Sequence, residues 1–127
     1  MKGTVMACDD KVVIGQTHGT DDAESVLIAY LMGVEAVRKG KEALMWLTKD
    51  AVLLATPNYI DKIDVSGAPN VAELHREFVE AGGRLFACPV CLKTHGLEGA
   101  ELIDGAEAKG APALYEFAQG GALTFNY

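Results

Sequence analysis

Short apolar runs alternating with stretches of helical periodicity restrict this chain to few folds. The most restrictive run is Ala43-Leu44-Met45-Trp46-Leu47-Thr48. It is apolar at odd and even positions alike. Because an extended chain sends successive side chains to opposite faces, such a strand needs cover on both sides, as in the centre of a parallel sheet. Within Lys11 to Thr17, the β-branched cluster Val12-Val13-Ile14 fits a first core strand. Arg84 to Ala87 leaves the Gly82-Gly83 break as another buried strand. Ala100 to Ala106, with Leu102 and Ile103, has room for a short strand ended by Asp104-Gly105. In Ala122 to Tyr127, Leu123, Phe125 and Tyr127 alternate with Thr124 and Asn126, the period of a final strand.

The intervening stretches read as helices. Over 22–38, Val26, Leu27, Tyr30, Val34 and Val37 share a face, Thr20 or Asp21 can serve as N-cap with Glu24 completing a capping box, and Arg38-Lys39-Gly40 closes the helix. Thr48 can cap a short helix from Lys49 to Ala55, and 56–69 is a long loop of the kind found at functional sites or subunit contacts. Asn70 caps a helix over 71–81 with the stripe Val71, Leu74 and Phe78; His75 reads as a surface residue. A last helix from Pro112 to about Gln119 is expected to bury Leu114, Tyr115 and Phe117. Five strands alternating with helices imply an α/β domain over 1–127: three layers, α/β/α, around a mostly parallel sheet. Met1 to Asp10 is ambiguous, Thr4 to Cys8 being an extra strand or an arm and Cys8 a small buried residue.

Composition narrows the function classes. The chain has 127 residues, half of them hydrophobic, enough for a real core without disulfide staples. A net charge of −7 repels nucleic acid phosphates and anionic membranes, so neither is expected as a partner. The first ten residues carry no apolar run of signal-peptide length, and Gly, Lys or Asp interrupts every later apolar stretch, so a soluble cytoplasmic protein is expected. Three cysteines, an odd number, suit a reducing compartment.

The chemistry concentrates at Cys88-Pro89-Val90-Cys91, where a strand meets a short helix that runs to His95-Gly96. Pro89 stops the strand and suits the first helical position, placing Cys88 at the helix N-cap. Thiol pKa falls at such positions and in Cys-x-x-Cys pairs, which makes Cys88 the candidate nucleophile. Four chemistries fit: persulfide or thiol transfer, dithiol exchange with Cys91 resolving, a metal site of Cys88, Cys91 and His95 completed by His18, Cys8 or water, and cysteines that are only structural. The carboxyl ends of parallel strands collect ligands, and Thr17-His18, Thr48-Lys49, Cys88 and Asp104 are all expected at that edge. His18 can polarise a sulfur ligand, Lys49 and Lys93 can hold an anionic sulfur species, and Asp104 can orient a partner group; His95 equally suits a helix C-terminus. Gly82-Gly83 and Gly120-Gly121 lack dinucleotide-binding spacing, and no cofactor is expected. A peroxidase is disfavoured, because no Pro-x-x-x-Thr-x-x-Cys arrangement occurs.

Several motifs together carry a family likeness. They are Thr17-His18-Gly19-x-Asp21-Asp22, Trp46-Leu47-Thr48-Lys49-Asp50-Ala51-Val52, Glu80-Ala81-Gly82-Gly83-Arg84, Ala87-Cys88-Pro89-Val90-Cys91-Leu92-Lys93, and Leu102-Ile103-Asp104-Gly105-Ala106, followed by a strand ending in Tyr127. From about residue 11 onward the chain resembles the DsrE/DsrF-like family, small α/β proteins of flavodoxin-like variant associated with sulfur relay. The resemblance implies a sulfur-carrier role, with Cys88 accepting sulfane sulfur as a persulfide. It also implies a homo-oligomer, a trimer or hexamer, that exchanges sulfur with donor and acceptor proteins or with small thiols and polysulfides. Cys91 departs from the pattern, since sulfur-relay subunits need not have it, which keeps disulfide cycling open beside persulfide transfer. A non-catalytic oligomeric binding module is the remaining alternative.

Overall fold

The computed structural model describes residues 10–127; the readings of Thr4 to Cys8 lie outside the described residues. Strands β1 (Lys11–Gln16), β2 (Glu42–Leu47), β3 (Arg84–Ala87), β4 (Ala106–Ala108) and β5 (Leu123–Asn126) form one sheet in the order β4-β3-β2-β1-β5. Every neighbouring pair is parallel. The helices are α1 (Ala23–Arg38), α2 (Val71–Glu80), α3 (Pro89–Thr94) and α4 (Ala111–Phe117). The architecture is the expected three-layer α/β/α, with helices on both faces of the sheet.

Crossover handedness distributes those helices. From β1 to β4 the chain steps across the sheet in one direction, so right-handed crossovers put α1, α2 and α3 on one face; the return from β4 to β5 puts α4 on the other. The first face holds the main core, in which Ile14, Tyr30, Met45, Leu47, Phe78 and Leu85 are wholly enclosed. On the other face Val13, Leu44 and Phe86 are buried and Trp46 is half-buried. Among the described residues, no helix is long and apolar enough to cross a membrane.

Local chemistry shifts three expected features. The N-cap of α1 is Asp22, whose carboxylate accepts from the Ser25 N–H at 3.1 Å; Thr20 and Asp21 belong to a preceding 3₁₀ turn, and Asp21 is held by His18 instead. Lys49–Ala55 is a 3₁₀ segment rather than an α-helix, and the 56–69 loop contains another at Tyr59–Lys62. Contrary to expectation no residue of α4 is buried: Leu114 and Phe117 are half-buried and Tyr115 is 80% exposed.

The fourth strand lies later than the sequence implies. Residues 100–104 do not pair with β3: the Ile103 N–H donates to the Ala55 carbonyl at 2.9 Å, holding the segment against the 3₁₀ end, and pairing begins where the Leu85 N–H donates to the Gly105 carbonyl at 2.8 Å, with Leu85 opposite Ala106. Gly105 (φ 86°) permits this path, since a Cβ there would stand 2.8 Å from the Val79 side chain on α2. Asp104-Gly105 therefore precedes β4 rather than ending a strand.

His75 is not a plain surface residue. Its Nδ1 lies 2.8 Å from the hydroxyl of Tyr30, a fully enclosed side chain whose phenol burial pushes far above its ordinary pKa. The phenol thus stays protonated and donates to Nδ1, which must remain unprotonated to accept. Desolvation, followed by the nearby Arg76 charge, accordingly lowers the His75 pKa. A base with a depressed native pKa binds fewer protons folded than unfolded, so stability falls as pH drops below about 6.5, the ordinary histidine value. Urea unfolding at about pH 7 and about pH 5 should show that slope, flattened in His75→Gln; an unchanged slope in the variant would remove His75 as its source.

Candidate functional site

The candidate edge is the carboxyl end of the sheet, where the hydrogen-bond ladder runs one residue past the strands. Backbone N–H groups of Thr17, Thr48, Cys88 and Lys109 donate to the carbonyls of Tyr127, Gln16, Leu47 and Ala87 at 3.0 to 3.2 Å. Thr17, Thr48, Cys88 and Lys109 consequently stand in one row across four strand ends, with Tyr127 one residue short of it, opposite Gln16.

Cys88 leaves β3 in an extended conformation (φ −61°, ψ 121°), and Pro89 begins α3 directly after it. Its thiol is half-buried. Contrary to expectation, the sulfur makes no capping hydrogen bond to the helix amides. The Cys88 N–H is taken by the sheet, Pro89 has none, and the helix has only six residues.

Cys91 lies one turn later. Its half-buried thiol packs against the core, and desolvation raises its pKa; the adjacent Cys88 sulfur adds to the rise through a hydrogen bond and its charge. The backbone N–H and the charge of Lys49 pull the other way. The net direction is upward, so Cys91 is held as a thiol beside the Cys88 sulfur, to which its S–H can donate. Lys49 reaches this position with φ 53°, a left-handed conformation disfavoured by about 1–2 kcal/mol for a side-chain-bearing residue. Strain of that kind recurs where backbone is held for function.

The remaining candidates separate. His18 Nδ1 is 2.8 Å from Asp21 Oδ2; that hydrogen bond raises its pKa, desolvation opposes, and the charges of Asp21, Asp22 and Asp50 add to the rise. His95 caps α3 and places Nε2 3.4 Å from Asp50 Oδ1. Lys93 is exposed on α3. Asp104 does not reach this edge: preceding β4, it sits at the amino end of the sheet, where it lines a cavity of about 350 Å³ with His75, Arg76 and Glu80. Among the described residues, no three His, Cys, Asp or Glu side chains gather as a metal-binding group, so the set Cys88, Cys91 and His95 is not assembled.

A model of the DsrE/DsrF-like family matches residues 10–126. The chain belongs to the DsrE/DsrF-like family. It is 24% identical over 108 residues to Uncharacterized protein MJ0760 of Methanocaldococcus jannaschii, covering 85% of this chain but only 39% of that protein's length. Among solved structures it is similar to the ychN protein from E. coli, with a TM-score of 0.75 at 16% identity, 92% of this chain and 98% of that one being covered. MTH1491 from Methanobacterium thermoautotrophicum gives a TM-score of 0.62 at 17% identity, with 92% and 98% covered. At such identities the structures speak to fold alone.

In this DsrE/DsrF-like chain two residues of the edge escaped sequence reading. Asp50 stands near both His18 and His95, joining the β1–α1 turn to the end of α3. Lys109 follows β4 and lies beside Cys88 in the row. Neither carries a local signal. Asp50 becomes notable only when its 3₁₀ segment packs on α3, and Lys109 only when β4 begins at Ala106.

Proposed function

We propose that the protein is a sulfur carrier, sulfurtransferase-like in chemistry, that takes up sulfane sulfur on Cys88. What supports this is the half-exposed Cys88 thiol at the sheet's carboxyl edge, beside a Cys91 thiol that stays protonated. The Cys88 thiolate attacks the outer sulfur of a donor persulfide, R–S–SH; the new bond gives Cys88–S–SH, and the donor leaves as R–S⁻. An acceptor thiolate then repeats the exchange on the outer sulfur. Donor and acceptor are proteins, small thiols or polysulfides of a reducing, cytoplasmic compartment. The chain works as a homo-oligomer, a trimer or hexamer, which light scattering can check.

The adjacency of Cys91 favours a second reading, dithiol exchange. There the Cys91 thiolate attacks Cys88 Sγ in a mixed disulfide, forming the internal disulfide and releasing the partner's thiolate. Both readings require Cys88 to react first. Alkylation by iodoacetamide near neutral pH, followed by peptide mapping, should label Cys88 at least about tenfold faster than Cys91 and faster than free cysteine. If neither cysteine outruns free cysteine, a non-catalytic binding module is the better account.

A further inference from the structure

We infer that Lys109 selects anionic reactants at Cys88, a positioning role that rests on Cys88 being the reactive thiol. Two independent contacts fix its backbone. The Lys109 N–H donates to the Ala87 carbonyl at 3.2 Å, continuing the β3–β4 register in which Phe86 faces Glu107 and Ala87 faces Ala108. The next pair in that register is Cys88 with Lys109. Gly110 then lies beside Pro89, where an added Cβ would stand 3.6 Å from Pro89 Cδ, so the exit of β4 runs next to the residue that follows the thiol.

The ammonium is held only by weak contacts. Nζ is 3.8 Å from Glu107 and 5.7 Å from the centroid of the Phe86 ring, and both ionic side chains are about half exposed. Glu107 is shared with Arg84, whose Nη2 lies 3.4 Å away, so two cations meet one carboxylate and a positive charge is left over. An exposed pair of this kind holds a lysine by well under about 1 kcal/mol, leaving Nζ able to swing toward an anion arriving at the neighbouring sulfur. With a whole-chain charge of −7, an anion approaches against the overall field unless a local cation offsets it. Lys109 is such a cation, and its place in the row puts it on the β4 side of the thiol.

The test compares anionic iodoacetate with neutral iodoacetamide at Cys88 in the full-length protein. Lys109→Met should lower the iodoacetate-to-iodoacetamide rate ratio about threefold to fivefold, as expected for one charge removed at a partly solvated distance. Lys109→Arg should keep the ratio, and about 1 M salt should abolish the difference. Lys39→Met, which removes the same charge at the far end of α1, is the control for net charge. An unchanged ratio in Lys109→Met, or an equal fall in Lys39→Met, overturns the inference. A lowered ratio in a protein whose Cys88 takes up no sulfur from polysulfide would keep charge selection and discard the carrier reading. A Cys88 that reacts with neither reagent overturns both.

Discussion

Gly83→Ala should destabilise the fold by about 2–3 kcal/mol, lowering its melting temperature by about 10 °C. A Cβ at this buried glycine would lie 2.5–2.6 Å from three atoms of the Phe78 ring. The ring has no room to retreat: it is fully enclosed, and Tyr30 meets it edge-on with centroids 6.3 Å apart. The Gly83 N–H also bonds the Phe78 carbonyl at 2.8 Å, so the end of α2 and the start of β3 move together or not at all. Phe78→Leu should be destabilising alone yet recover part of the loss in the Gly83→Ala background, because the methyl then enters vacated volume. Urea unfolding of the four proteins measures this coupling. Strictly additive losses would mean that the ring does not set the demand for glycine.

Cys91→Ser should prolong a Cys88 persulfide about tenfold or more. In the wild type, the Cys91 thiolate attacks Cys88 Sγ; the internal disulfide forms and the outer sulfur departs as HS⁻. Intramolecular attack enjoys effective concentrations of up to about 10⁵ M, and even a small ionised fraction of Cys91 competes with millimolar external thiol. Because burial and the Cys88 sulfur raise the Cys91 pKa, that fraction grows with pH, and discharge should quicken as the medium becomes alkaline. In Cys91→Ser both the internal route and its pH dependence disappear. Sulfide release followed over time without added thiol reads the difference; equal lifetimes would leave Cys91 a packing and hydrogen-bonding group only.

Much of the scaffold was legible because its signals are local. Arg84 to Ala87 forms a strand with the expected bounds, and the Asn70 side chain accepts from the Glu73 N–H at 3.0 Å as a helix cap should. The strand-Cys-Pro-helix junction is likewise visible in order of residue type. The misreadings are those in which tertiary contact overrides local pattern. Leu102 and Ile103 look like strand residues, but the bond from Ile103 to Ala55 and the close approach of Gly105 to Val79 carry them past β3 before pairing starts. Asp104 is absent from the carboxyl edge for that reason, and Lys109 stands on it instead. His75 follows an exposed-looking pattern on α2, and only the buried Tyr30 hydroxyl, 45 residues away, gives it a role. The sulfur of Cys88 lacks the helix-amide contact its position suggests, and the neighbour that matters is the Cys91 thiol one turn later.

The most direct test of the carrier account is site-resolved mass spectrometry after brief incubation with polysulfide and removal of excess reagent. Wild type and Cys91→Ser should each carry added sulfur on the peptide containing Cys88, and Cys88→Ser should carry none. Sulfur retained by Cys88→Ser, or found at a site other than Cys88 in the wild type, would contradict the account.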